Sequence, residues 1–107
     1  MNSIQIPARY YGYNHTLPFD WLEVVRPEGS KNYTVFVLQN GKKHISTKSI
    51  GNYEAFLPDY FLRIHKQCIV NMANIQSVCK ATKTIVLSDG FVHPIARRWW
   101  GALKMNT

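Results

Sequence analysis

A chain of 107 residues has room for one domain and one core, and a hydrophobic fraction of 46% with 3 Trp, 6 Tyr and 5 Phe excludes a disordered one. Thirteen Lys and Arg against six Asp and Glu leave a formal charge of +7, which favours an anionic partner: nucleic acid, an acidic membrane surface or an acidic protein. No apolar run is long enough to span a bilayer, and Met1 to Gln5 lack the basic stretch and apolar run of a secretory signal. Cys68 and Cys79 make no disulfide framework, so the chain reads as cytoplasmic with both thiols reduced. The sequons Asn14-His15-Thr16 and Asn32-Tyr33-Thr34 are then coincidental.

Along the chain no repeat, linker or low-complexity tract stands out. The first nineteen residues are rich in Tyr, Pro and Asn, and among them only Ile4-Gln5-Ile6 alternates like a strand. Residues 22–26 are expected to form a strand ended by Pro27 and a loop over residues 28–32. Tyr33 to Leu38, β-branched and aromatic and apolar on both faces, predicts a buried strand. Asn40-Gly41 signals a hairpin, because both central positions need positive φ, and Lys42 to Thr47 is its return strand. From Ser49 to Leu57 the period becomes helical: Ile50, Tyr53, Phe56 and Leu57 share a face, Ser49 can cap the start and Pro58 stops it. Gly51 weakens that helix, so the core must hold it in place. Further strands are expected at Phe61–His65, Cys68–Val70, Ile75–Cys79, Thr84–Leu87 and Phe91–His93, the last two flanking an Asp89-Gly90 turn. About eight strands and one short helix make an all-β or β-dominated domain, which disfavours helix-turn-helix, zipper and zinc-finger binding.

Constellations for catalysis are lacking. The six carboxylates are scattered, and His65 and Cys68, three apart on an extended chain, fall on opposite faces, which leaves Cys68 as a small core residue. His15, His44, His65 and His93 and the two cysteines show no metal-ligand spacing, and Gly29 and Gly41 are turn residues and form no phosphate loop. Neither an enzyme, a cofactor nor a metal site is expected. The basic residues say more, because they cluster where strands end: Lys31 before the first long strand, His65-Lys66-Gln67 at another, Arg97-Arg98-Trp99-Trp100 at the last. Such groups can reach phosphates, and Arg can also meet guanine O6 and N7 together. Lys42-Lys43 reads as an ordinary solvated pair.

Phe61-Leu62-Arg63-Ile64-His65-Lys66-Gln67-Cys68-Ile69-Val70-Asn71 closely resembles the F-[LI]-R-[IV]-H-[RK]-S-Y-[IL]-V-N signature of LytTR-type DNA-binding domains. Residues 28–34 (Glu-Gly-Ser-Lys-Asn-Tyr-Thr) are similar to that family's E-[GA]-x-x-N-Y-[TV] segment, Asn40-Gly41-Lys42 to its hairpin, residues 48–57 to its helix and residues 87–98 to its closing hairpin. The likeness covers about residues 17–104 of a single domain at 1–107, with 1–16 as an N-terminal extension. It implies an elongated set of small antiparallel sheets with one short helix, whose loops enter successive major grooves of double-stranded DNA. Family contact positions in three loops match Tyr33 with Thr34, Lys66 with Gln67, and Arg97 with Arg98; His93 and Trp100 match phosphate-contacting positions. Arg63, His65 and Asn71 are expected mainly to organise the fold, Asn71 by satisfying backbone groups at a turn.

The resemblance further implies the output domain of a bacterial response regulator in a two-component system, with a receiver domain or sensor partner not present in this chain and a dimer on paired DNA sites. This sequence departs from the family at Gln67 (usually Ser), Cys68 (usually aromatic) and Ala96 (usually Ser), the last removing one phosphate hydrogen bond. Arg26-Pro27 replaces apolar strand residues and is expected to shorten that strand. Two other readings stay open: a single-stranded nucleic-acid binder that stacks bases on its aromatics, and a protein-interaction module anchored by Trp99 and Trp100, whose indoles could equally complete the core.

Overall fold

The computed structural model describes residues 4–6 and 15–105, with the side chains of residues 5, 6, 15 and 102–105 left aside. Residues 1–3, 7–14 and 106–107, and with them most of the expected N-terminal extension, its start and the sequon at Asn14, lie outside the described residues. Among the described residues ten short strands follow one another: β1 Ile4–Ile6, β2 His15–Leu17, β3 Val24–Ser30, β4 Tyr33–Leu38, β5 Lys43–Ser46, β6 Phe61–His65, β7 Cys68–Asn71, β8 Ile75–Cys79, β9 Thr84–Leu87 and β10 Val92–Pro94. Helix α1 (Ile50–Glu54) separates β5 from β6, and α2 (Arg97–Met105) follows β10. All pairing is antiparallel: a five-stranded sheet in the order β5-β4-β3-β7-β6, a three-stranded sheet β10-β9-β8 and the pair β1-β2. The β-dominated class and the elongated outline expected from the sequence are present, the molecule measuring 45 × 27 × 24 Å. Beside the one expected helix stands a second, α2.

Alternation along the central strands divides the core. Ile69 of β7 and Phe36 of β4 face one side, where Ile50 and Tyr53 of α1 and Leu17 of β2 cover them. Cys68 and Val70 of β7, with Ile64 of β6, face the other, against Ile85 and Leu87 of the three-stranded sheet and Ile95. The five-stranded sheet is therefore the middle layer.

Strand β3 differs from expectation. It begins at Val24, after a 3-10 turn over Trp21–Glu23, and runs through Pro27 to Ser30. Pro27 pairs in register with Phe36 of β4. The Gly29 N–H bonds across to Gln67, so by alternation the N–H missing at Pro27 would also face β7. Pairing on that side is confined to Glu28 and Cys68, and no ladder bond is lost. Arg26 does not shorten the strand either. It is buried, with Nε 2.6 Å from Glu28 Oε1, Nη1 2.7 Å from Asp89 Oδ2 and its guanidinium 3.6 Å above the Phe91 ring centre. A buried cation with two carboxylates and a ring for partners ties the central strand to the β9–β10 turn.

Helix α1 is shorter than the periodic stretch from Ser49 to Leu57. Ser49 stands at the cap position without a side-chain bond to the helix backbone, and its Oγ accepts from the Asn52 side chain at 2.8 Å instead. Tyr53, fully buried and hydrogen-bonded to Ser46, fastens the helix to β5. Packing holds this turn where capping and Gly51 do not.

Candidate nucleic-acid interface

The signature strand ends in a two-residue turn, and two of its residues brace that turn. Arg63 donates from Nε to the His65 carbonyl at 3.2 Å and from Nη2 to the Lys66 carbonyl, while Nη1 bonds Glu54 of α1 at 2.9 Å. His65 Nδ1 accepts from the Gln67 N–H at 3.1 Å. Farther along, Asn71 Nδ2 donates to the Val24 carbonyl at 3.1 Å and Oδ1 accepts from the Ala73 N–H at 3.0 Å. Arg63, His65 and Asn71 thus organise backbone, as their place in the signature implied. Lys66 is left exposed at the tip. Gln67 is half-buried and lies over Gly29, where a β-carbon would come within 1.9 Å of Gln67 Oε1. A side chain at position 29 would therefore push the Gln67 amide out of its place.

The β3–β4 turn leaves the same end of the sheet, because Gly29 donates to the Gln67 carbonyl at 2.8 Å and Glu28 pairs with Cys68. Lys31 turns the chain at φ 56°, and Tyr33 stands 47% exposed beside it. Thr34 is placed otherwise than a contact residue requires: it is fully buried and its hydroxyl donates to the Lys48 carbonyl at 2.7 Å. Its side chain fixes the strand that carries Tyr33.

Arg97 and Arg98 lie in the first turn of a helix and not in a loop. The Ala96 N–H donates to the Ile64 carbonyl at 2.8 Å, and the Ala96 carbonyl accepts from Trp99 and Trp100 at 2.9 and 3.1 Å. Ala96 is therefore the capping residue, and with no side-chain oxygen it leaves the first N–H groups of α2 open. Both arginines are exposed and no acidic residue offsets them in that turn. Partial positive charge from the helix end adds to two guanidinium groups. The sequence held a signal for this helix, since Ala96, Trp99, Trp100 and Leu103 fall at helical spacing. Trp100 is half-buried and packs on the second core cluster. Trp99 lies between Arg63 and Arg98, 5.3 and 5.0 Å from its ring centre. With Glu54 and Lys66 these three line a cleft of about 550 Å³ beside the β6–β7 turn.

His93 of β10 reaches the same neighbourhood. Its ring stacks on Phe91 at 5.6 Å and meets His65 edge-on at 5.1 Å, and Nδ1 lies 2.6 Å from the Pro94 carbonyl, so that nitrogen carries the proton. A smaller hollow of about 260 Å³ lies between them, lined also by Glu28, Gln67 and Cys68. Contrary to the spacing-based expectation, the turn sets His65 directly opposite Cys68 in the ladder. The thiol is nonetheless no nucleophile: burial first, and Glu28 next, push it up to about 12 against the opposing pull of Arg26. Among the described residues no cluster of three or more His, Cys, Asp or Glu could hold a metal ion, and no helix is long and apolar enough to cross a membrane.

Three cationic segments from distant parts of the sequence, residues 31–33, 65–67 and 96–98, are thus brought to one end of the five-stranded sheet by the Gly29–Gln67 and Ala96–Ile64 hydrogen bonds. A small β-rich domain built this way is a module for meeting a polyanion. The sequence model of the LytTr DNA-binding domain matches residues 14–106, and the chain belongs to that family. Its ligand class is accordingly DNA, as for a transcriptional regulator, and the family is one of binding domains. Among solved structures it is similar to the LytTr DNA-binding domain of a protein described as a methyl-accepting/DNA response regulator from Bacillus cereus, with a TM-score of 0.74 at 18% identity over 98% of this chain and 95% of that one. No curated protein matches the chain.

Proposed function

We propose that this domain recognises double-stranded DNA in a sequence-specific way, as the output domain of a bacterial transcriptional regulator working in the cytoplasm. Tyr33, Lys66, Gln67, Arg97 and Arg98 supply the contacts, with His93 and Trp100 at the margin and Thr34 acting through the strand it anchors. Successive major grooves are entered from the sheet end, and pairing of two copies on adjacent sites, with a receiver domain or sensor partner controlling it, accords with this role. The observation that supports it best is the Ala96-to-Ile64 hydrogen bond, which sets the open, doubly cationic start of α2 against the strand that leads into Lys66. Arg97 is suited to base edges because its planar fork meets guanine's two acceptors at once. Trp100 is engaged by the core and Trp99 is covered by two guanidinium groups, which weighs against an indole anchor for a protein partner.

Selection of bound sequences from a random duplex pool, followed by affinity measurements across salt, tests this reading. Neutralisation of about four to six phosphates gives log K a slope of about −4 to −5 against log salt. A flat salt dependence, or preference for unpaired oligonucleotides over every duplex, would overturn it.

A further inference from the structure

The three-stranded sheet carries a basic turn outside the three contact segments. Between Tyr60 and Ser88 the sequence holds no Asp or Glu, and two of the cations in that stretch, Lys80 and Lys83, stand exposed in the β8–β9 turn. The turn is well defined: Cys79 pairs with Thr84 at its base, and the hydroxyls of Thr82 and Thr84 are 2.8 Å apart. It is also fastened to the segment that leads into α2. The Lys83 carbonyl accepts from the Ile95 N–H at 2.8 Å, two residues before Arg97, and Thr84 pairs with Pro94. The acidic residue of this sheet, Asp89, lies at its other end and is neutralised by Arg26.

Backbone geometry singles out the same residue. Among the described residues two that are not glycine adopt positive φ, Lys31 at 56° and Lys83 at 53°. A long side chain is disfavoured there relative to Gly or Asn. Both positions hold a lysine, and Lys31 already borders the proposed contact surface.

We propose that the β8–β9 turn is a fourth DNA-contacting segment, in which Lys80 and Lys83 meet backbone phosphates beside the groove that Arg97 enters. This rests on the DNA-binding reading above and extends its footprint. Ammonium groups are point charges, so the segment adds affinity and register and carries no base information.

The test compares the unaltered protein, the Lys80→Gln/Lys83→Gln variant and a Lys42→Gln/Lys43→Gln control on the selected duplex over a range of salt. The control pair sits at the opposite end of the molecule: Gln39, before its turn, bonds Asn74 at 2.9 Å, and Asn74 bonds Ser88 at the far end of β9. Each lost phosphate contact removes about 0.9 from the salt slope, so the Lys80/Lys83 variant should flatten it by about 2 and keep the ranking of single-base variants. The control should keep the slope.

A second measurement needs no mutation. Cys79 is exposed at the base of the turn while Cys68 is 1% exposed, so iodoacetamide alkylates Cys79 selectively, and saturating duplex should slow that reaction several-fold. Equal slopes for the unaltered protein and the Lys80/Lys83 variant, equal flattening by both pairs, or an alkylation rate indifferent to duplex would each overturn the fourth contact and leave the DNA reading standing. Salt-insensitive duplex binding by the unaltered protein would overturn the DNA reading itself.

Discussion

Arg97 and Arg98 are neighbours with different surroundings. Arg98 faces the cleft it shares with Arg63, Lys66 and Trp99, whereas Arg97 stands exposed at the first helical position. Arg97→Lys should keep charge and most non-specific affinity yet lose roughly 1–3 kcal/mol of discrimination at one base pair. Arg98→Ala should weaken all sequences about equally. Binding of both variants to the selected site and to single-base variants checks this; unchanged ratios for Arg97→Lys would make it a phosphate contact only. Ala96 illustrates how a residue's meaning depends on its element. From the resemblance its difference from Ser was a lost phosphate bond, but at the head of α2 it is a missing cap. Ala96→Ser should therefore raise stability by about 1 kcal/mol and the melting temperature by a few degrees. An unchanged or lowered melting temperature would show that the helix start is satisfied in some other way.

At the scale of elements, the β6–β7 hairpin sets scaffold residues beside the proposed contact residue Lys66 within eleven residues. Asn71 is 2% exposed and holds Val24 and Ala73, so Asn71→Ala leaves buried backbone groups unpaired and should cost roughly 1–3 kcal/mol. Lys66→Ala removes a side chain from solvent; it should leave the melting temperature nearly intact and weaken DNA binding. Thermal unfolding and binding isotherms on the two variants distinguish these roles, and the reverse pattern would exchange them. Where elements were misjudged, pairing decided. Pro27 reads as a stop in isolation, and only the short β3–β7 ladder makes it harmless. The Arg97–Trp100 segment reads as the end of a strand until Ala96 is bonded to Ile64 and Trp100 packs on the core.

Over the whole molecule, the Arg26 cluster joins the middle sheet to the β9–β10 turn, and it gives stability a dependence on pH. Burial pushes the Asp89 carboxyl up, but the Arg26 hydrogen bond and charge, with the Phe91 N–H at 3.1 Å, outweigh it and hold the group below the usual carboxylate range. A pKa lower in the folded than in the unfolded state contributes stability that is fully present above the unfolded value, about 3.9. That contribution is lost as pH falls through the lower, folded value. Asp89→Asn should thus be less stable than the unaltered protein at neutral pH, with the gap closing below about pH 4. Melting temperatures of the two across an acid series check it, and a gap that persists undiminished would mean the carboxylate charge is not what the clamp uses.

The sequence by itself determined the β-dominated class, most strand positions, the family and the scaffold residues of the signature. Those follow from local physics: period-two apolar patterning, Asn-Gly and Asp-Gly turns, and an eleven-residue motif with fixed spacing. Tertiary structure alone decided that Thr34 is buried, that Arg26 is an internal clamp, that the helix start at Arg97 is held against β6 and that the Lys80–Lys83 turn adjoins it. Each of these depends on a partner far along the chain: Lys48 for Thr34, Asp89 for Arg26, Ile64 for Ala96 and Ile95 for Lys83. Hydrogen bonds between distant segments leave no periodicity for a sequence to display, and they set which cations share a surface.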